Sequence, residues 1–302
     1  MASSATRPTE ASRPGTRSER AGEAAARNAQ VVRNLQTPPD EQAAAAFFDV
    51  DNTVMQGAAI FHLARGLHRR EFFTTRVLLK AAWDHAYFRL IGIENPGAVA
   101  NARESALSII AGHRVAELES LAEEIFDEVM AGKIWPGTQA LAQMHLDQGQ
   151  RVWLVTAAPA EIARIIARRL GLTGALGTVA EQAAGVYTGR LVGELLHGPA
   201  KAAAVLALAR REHLDLARCS AYSDSHNDLP MLSLVGDPCA INPDRLLRDH
   251  ARRHGWRVRD YRTGRKAARL GLVVAGCVGA ASGSLAAAIA VRRKLGDAYR
   301  AP

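Results

Sequence analysis

Two aspartates one residue apart close an apolar run: Ala43 to Phe48 leads into Asp49-Val50-Asp51-Asn52-Thr53. Ala43 to Val50 has no helical polar face, so it predicts a buried strand of a parallel sheet ending in two carboxylates. In open α/β sheets, ligands bind in the crevice beyond the strand C-termini. Side chains alternate along a regular strand, which would send Asp49 and Asp51 to opposite faces. The strand must therefore end at Asp49, and the chain must turn for Asp51 to swing back. Such a pair offers one carboxylate as nucleophile, a second as proton donor, and a backbone carbonyl for a metal. An anionic nucleophile attacking phosphorus needs charge neutralisation, and Mg²⁺ is the hard, oxygen-seeking answer.

Three later positions supply what that chemistry lacks. Thr156 closes the apolar run Val152 to Val155 and could give a phosphate oxygen its hydroxyl and its backbone N–H. Lys201 follows Gly198-Pro199-Ala200 at a helix start, where a cation opposes the macrodipole. It gains sense there by holding a phosphate. Ser223-Asp224-Ser225-His226-Asn227-Asp228 puts two more carboxylates at another strand end. Asp224 and Asp228 with Asn227 suit a metal site and the groups that brace it.

Behind these residues lies an alternation of short apolar runs and amphipathic stretches. Trp135-Pro136-Gly137 reads as a turn, followed by a predicted helix through Met144; further helices are predicted over Ala160–Leu170 with a stop at Gly171, and over Ala200–Arg211. Strands are predicted at 151–155, 219–222 and 238–241, with a hairpin over 186–195 turning at Thr188-Gly189. Strands alternating with helices imply a mostly parallel sheet. Residues 58–134 instead carry only helical spacing, as in Ile60, Leu63, Ala64, Leu67 and in Leu118, Leu121, Ala122, Ile125, Phe126, Val129. An all-helical insertion directly after the first strand reads as a cap over its carboxylates.

The order Asp-x-Asp-x-Thr, Thr, Lys, Asp-x-x-Asn-Asp resembles the haloacid-dehalogenase superfamily, most closely its phosphoserine-phosphatase-like subfamily IB. The resemblance spans about residues 44–245. It implies an α/β fold: a three-layer, Rossmann-like parallel-sheet core (43–57 and 135–245) with a helical cap (58–134) inserted after the first strand. It also implies a phosphoaspartyl mechanism. Asp49 would attack phosphorus, and Asp51 would protonate the leaving alcohol and then deprotonate water. Thr156 and Lys201 would hold the phosphoryl oxygens. Asp49, the Asp51 carbonyl and Asp224 would ligate Mg²⁺. Asp228 would support Lys201 or a metal-bound water, and Asn227 would line the phosphate or substrate site. One position departs from the pattern. Phosphoserine phosphatases carry an acidic residue nine positions after the nucleophile to bind the substrate ammonium, and here that residue is Ala58, between Gly57 and Ala59. Serine phosphate is therefore not the expected substrate. Arg65, Arg69, Arg70 and Arg103 in the cap are candidates for an anionic one.

Composition sets the surroundings of this core. The net charge of +8 is uneven: +1 over residues 1–44, −4 over 45–244 and +11 over 245–302. The basicity belongs to the tail, and only Trp256 and Tyr261 lie near its arginines, so nucleic acid is not an expected partner. Three separated cysteines, Cys219, Cys239 and Cys277, exclude a disulfide scaffold and point to a reducing compartment. Residues 1–42 read as a disordered leader with a short helix within 20–35, without a signal peptide. Residues 246–269 read as a basic linker. Leu270 to Val291 is 22 residues without a formal charge, flanked by Arg265, Lys266, Arg269 and by Arg292, Arg293, Lys294. As a helix it would extend about 33 Å, against a bilayer core of about 30 Å. A transmembrane or membrane-associated C-terminal helix is expected there, before a basic tail at 292–302. Its Gly279/Gly283 stripe could serve a homodimer. The expected protein is a Mg²⁺-dependent phosphomonoester hydrolase on the cytoplasmic membrane face, otherwise cytoplasmic, acting on a small phosphometabolite or a lysophospholipid. The alternatives are a phosphotransferase of the same chemistry or a non-catalytic membrane-associated regulatory protein.

Overall fold

The structure is a computed structural model, and it describes residues 16–33, 43–72 and 110–262. Elements are numbered over these residues. Strand β1 (Ala45–Asp49) is buried at every position. It lies at the centre of a six-stranded sheet with β2 (Arg151–Pro159), β3 (Gly174–Thr178), β6 (Ser220–Ser223), β7 (Asp237–Ile241) and β8 (Arg257–Arg259), ordered β3-β2-β1-β6-β7-β8. Each pairing is parallel. The order reverses direction at β1, which makes its C-terminal end a topological switch point, the place where such sheets bind ligands.

Alternation along β1 explains the two cores. Phe47 joins Trp153, Val155 and Ala221 on one face of the sheet. That face is covered by α6 (Pro199–Glu212), α7 (Leu229–Leu232) and α8 (Arg245–Arg253) through Val205, Leu208, Met231 and Leu247. Phe48 points to the other face. It stacks on Tyr222 with ring centroids 4.2 Å apart and meets His145 edge-on from α4 (Pro136–Asp147). The His145 ring is held at both nitrogens, by Tyr222 Oη at 2.7 Å and Gln150 Oε1 at 2.6 Å. Helix α5 (Ala160–Arg169) packs on β2 and β3. The expected three-layer α/β core is present.

Three expectations require correction. Part of the expected disordered leader is ordered: α1 (Arg17–Asn28) opens on a Thr16 capping box with Glu19 and buries Ala21, Gly22, Ala24, Ala25 and Ala26. It packs on α6, because a face of only Ala and Gly lets two helix backbones approach closely. Residues 1–15 and 34–42 lie outside the described residues. The stretch read as a basic linker from 246 carries α8 and the edge strand β8, so the catalytic unit runs to Arg259. The arginines that hid α8 occupy its solvent side, while Leu247 and Ala251 are its only buried residues. The hairpin is β4 (Ala180–Ala183) with β5 (Val186–Leu191), turning at Ala184-Gly185. Both turn residues have positive φ, +49° and +76°, as a tight two-residue turn requires.

Two cap helices are described. In α2 (Ala59–Arg69), the buried residues are Ala59, His62, Leu63, Gly66 and Leu67, while Ile60 is exposed. The buried stripe is thus rotated from the expected one. Gly66 lies on this stripe, where a Cβ would come within 2.5 Å of Ile125 in α3 (Val115–Ile125). A π-turn, Phe126–Met130, follows α3 and buries Phe126 and Met130. The expected cap residue Arg103, the uncharged 270–291 segment with its Gly279/Gly283 stripe, and Cys277 lie outside the described residues. Among the described residues, no helix is long and apolar enough to cross a membrane. Residues 260–302 form a second unit, described only over 260–262.

The α1–α6 contact is testable. A Cβ at Gly22 would lie 2.6 Å from the backbone of Ala203 and Ala204. Backbone cannot rotate away, so Gly22→Ala should force the helices apart and lower stability by about 1–3 kcal/mol. In urea unfolding the midpoint should fall with an unchanged slope.

Candidate active site

Strand register brings the predicted residues together. Asp49 is level with Val155, so Thr156 stands one residue beyond it on β2. On the other side Phe48 pairs with Tyr222, which puts Ser223 at the level of Asp49 and Asp224 one residue beyond. After Asp49 the chain leaves the strand through Asn52, whose φ of +58° belongs to the left-handed region that Asn tolerates. This is the turn that lets Asp51 come back.

The centre of the site is Lys201, in the first turn of α6. Its Nζ donates to Asp49 Oδ1 at 2.5 Å and to Asp228 Oδ2 at 2.7 Å. All three side chains are buried, at 3%, 4% and 1% exposure for Asp49, Lys201 and Asp228. The second oxygen of Asp49 accepts from Thr53 Oγ1 at 2.9 Å, and Asp228 Oδ2 also accepts from Ser223 Oγ at 2.7 Å. The Thr53 carbonyl accepts in turn from the buried Thr138 hydroxyl at 2.7 Å. Thr53 and Ser223 lie inside the motifs, and only the fold shows that their hydroxyls serve the two carboxylates.

Asp51 is half-buried, and its Oδ1 accepts from the backbone N–H of Ala59 at 2.8 Å. Ala59 is the first residue of α2, whose capping position, Ala58, offers no side-chain bond. Asp51 thus serves the helix N-terminus in place of a cap residue, so its side chain is committed to the cap helix. Thr156 is fully buried, and its Oγ1 accepts from Ala158 N at 3.1 Å. A hydroxyl that accepts still has its proton to donate. Asn227 fits least well. It is exposed, its backbone N–H donates to Ser225 Oγ at 3.2 Å, and its carbonyl lies beside Gly198 at the start of α6. It stands at the rim.

Asp244 is a residue that motif reading missed. Its N–H donates to the Asp224 carbonyl at 2.8 Å, its Oδ2 accepts from His226 N at 2.8 Å, and its Oδ1 caps α8 through Leu247 N at 2.7 Å. The signal was available: Asn-Pro-Asp ahead of an amphipathic run is a helix-start pattern. Arg70, an anion-binding candidate, is engaged within the cap by Glu124 at 3.3 Å and Glu128 at 2.7 Å. Arg65 and Arg69 are exposed.

Electrostatics follow from four carboxylates around one ammonium. Burial lifts the Asp49 carboxyl well above the ordinary range; Lys201 opposes this, while Asp228, Asp51 and Asp224 add to it. Burial also lifts Asp51, against the pull of the Ala59 N–H, Lys201 and His62. Asp224 is pushed up to about 7, by burial first and then by Asp228. Lys201 moves above its ordinary value because the attraction of Asp49 and Asp228 outweighs its burial. One oxygen, Asp228 Oδ1, is buried with no hydrogen-bond partner. Surplus negative charge, oxygen donors alone and an orphaned acceptor fit a hard divalent cation. Among the described residues, no three His, Cys, Asp or Glu side chains converge to hold a metal by themselves. An ion would therefore need the Asp51 carbonyl and water beside Asp49 and Asp224.

A buried carboxylate at a parallel-sheet switch point, paired with lysine and followed by a helical insertion, fits a hydrolase of phosphate esters. The comparisons agree. Residues 46–233 match the family model of haloacid dehalogenase-like hydrolases, and the chain belongs to that family. Phosphoserine phosphatase SerB1 of Mycobacterium tuberculosis is 59% identical over 257 residues, covering 85% of this chain and 83% of that protein. The inhibition of morphological differentiation protein of Streptomyces azureus is 32% identical over 220 residues, 72% of this chain and 78% of its own. Among solved structures, a protein of unknown function from Bordetella pertussis Tohama I superposes with a TM-score of 0.64 at 29% identity, over 72% of this chain and 98% of that one. The chain is a phosphatase of this family.

The raised carboxyls predict a pH-dependent response to cations. A folded pKa above the unfolded one contributes stability that is complete below the unfolded value and lost as pH rises through the folded value. For Asp224 that window runs from 3.8 to about 7. A cation on these oxygens restores what deprotonation removes, so Mg²⁺ should raise the melting temperature more at pH 8 than at pH 5. An equal or larger gain at pH 5 would contradict this account.

Proposed function

We propose that the protein hydrolyses a phosphate monoester by way of an aspartyl phosphate on Asp49, with Mg²⁺ bound at Asp49, Asp224 and the Asp51 carbonyl. The observation that carries this reading is Lys201 held between Asp49 and Asp228, with all three side chains buried. It keeps one carboxylate oriented and partly neutralised beside the place where an anion must arrive. The Asp49 oxygen attacks phosphorus while the bond to the leaving alkoxide breaks, and Asp51, protonated, gives its proton to that alkoxide. Water then attacks the phosphoryl group, Asp51 takes the proton, and phosphate leaves with the Asp49 carboxylate restored. Lys201 and Thr156 hold phosphoryl oxygens through both steps. Bound Mg²⁺ supplies charge neutralisation between nucleophile and phosphate.

The substrate we favour is a small phosphometabolite or a lysophospholipid recognised without an ammonium contact at Ala58. Attachment to a membrane through 270–291, with a homodimer contact at Gly279/Gly283, is part of the proposal. It rests on the uncharged length of that segment and its basic flanks. Phosphoserine is the second reading, favoured by the name of the relative at 59% identity. A phosphotransferase would show the same residues, and transfer to added alcohols would reveal it.

Phosphate release should require Mg²⁺ and vanish in Asp49→Asn. Asp51→Asn should lower kcat/KM for an alkyl phosphate by about 10²–10⁴. A panel containing phosphoserine, its deaminated analogue and a lysophosphatidate would separate the readings. Clear preference for phosphoserine over the deaminated analogue would establish the second. Membrane fractionation of the full chain against one ending at residue 262 would test the anchor, which predicts that only the former sediments with membranes.

A further inference from the structure

His62 lies one turn into α2 and is buried, at 9% exposure. Its Nε2 sits 2.7 Å from the carbonyl oxygen of Gln56. A carbonyl can only accept, so Nε2 carries the hydrogen whether the ring is neutral or charged. Gln56 belongs to the loop between Asp51 and α2. That loop is closed on itself by Asn52 N to Gly57 O at 3.3 Å and by Gly57 N to Asn52 Oδ1 at 3.1 Å. Its far end is the Ala59 N–H that holds the Asp51 carboxyl. Gly57 is seated against the ring: a Cβ there would meet His62 Nε2 at 3.1 Å.

The order of support runs one way. The Asp51 carboxyl is located by the N-terminus of α2, and Ala58 gives that terminus no side-chain cap. The His62–Gln56 bond ties the incoming loop to the first turn of the helix. A histidine buried for packing alone would be satisfied anywhere in the cap. This one bonds the loop that carries Asp51. Resting on the proposed hydrolysis, we infer that His62 is a positioning residue for the general acid: it fixes the Asp51 loop on the cap helix so that Asp51 reaches the leaving oxygen. Proton delivery matters most when the leaving alcohol is a poor one. A nitrophenolate departs without it, whereas an alkoxide does not.

The test compares kcat/KM for an alkyl phosphate and for p-nitrophenyl phosphate in the full-length wild type, His62→Ala and His62→Gln. This constant reports steps up to transfer onto Asp49, before the water step common to both esters. His62→Ala should lose about 10-fold or more on the alkyl ester, part of the full general-acid contribution, and less than about 3-fold on the nitrophenyl ester. His62→Gln, whose amide N–H overlays Nε2, should recover most of the loss. If His62→Ala does not fold, His62→Asn, too short to reach Gln56, takes its place against His62→Gln. Equal losses on both esters, or no recovery with Gln, would overturn the assignment while leaving the hydrolase reading intact. A wild type inactive on both esters would overturn both.

Discussion

One ammonium held between two buried carboxylates organises this protein. Removing charges from water costs several kcal/mol per ion, and the attraction between them repays it only with good geometry and further hydrogen bonds. Lys201, Asp49 and Asp228 have both: contacts of 2.5 and 2.7 Å, with Thr53 and Ser223 serving the carboxylates. The three residues come from α6, β1 and the turn after β6, so the triad locks the centre of the sheet to the helix that covers it. The remaining carboxylates, Asp51 and Asp224, leave the pocket negative. That surplus is unfavourable in the folded protein by itself and favourable once a cation or its consequences are included.

The same constraint explains why the sheet has its order. A parallel strand buried on both faces cannot place a carboxylate anywhere except at its end. Having β1 in the middle puts a neighbouring strand end on each side of Asp49. Thr156 stands one residue further on β2, and Asp224 one residue further past β6. Donor and acceptor groups thus arrive from opposite sides at one level. Packing beneath holds that level: Trp153, Tyr222, Phe47 and Phe48 are among the largest fully buried side chains.

Much of this was legible from residue types. Strand ends with acidic residues, a lysine in an unfavourable helix position and a helical insertion after β1 each carry a physical signature that does not depend on distant contacts. What escaped reading depended on such contacts. Helix α1 looks like a polar leader because its buried face is alanine and glycine, and only the close approach to α6 makes that face a core. Helix α8 hides behind its arginines. In α2 the buried stripe includes Gly66, whose value lies in what it lacks. His62 is ordinary in sequence and Asp244 shows only as a helix-start residue; what they hold arises from hydrogen bonds to backbone atoms of the loops around Asp51 and Asp224.

Cap and core are joined in two distinct ways, and the difference bears on Asp51. Near the hairpin, residues 112–115 pair with β5 and the turn before it through Gly112 N to Tyr187 O at 2.9 Å, Tyr187 N to His113 O at 3.0 Å and Val115 N to Gly185 O at 3.0 Å. Ion pairs of α5 with α3 and the turn after it, the half-buried Arg164–Glu119 at 2.9 Å and the exposed Arg169–Asp127 at 2.6 Å, lie between the same two parts. Pairs open to solvent on at least one side contribute little each, so the backbone pairing is the stronger tie. On the other side, the outgoing and returning chains run together: Gln56 N donates to Lys133 O and Trp135 N to Val54 O, each at 2.8 Å. Those two segments must move as one. Any displacement of the cap about them is passed to the Asp51 loop, because Gln56 bonds Lys133 through its N–H and His62 through its carbonyl. The placement of the Asp51 carboxyl is therefore tied to the position of the cap.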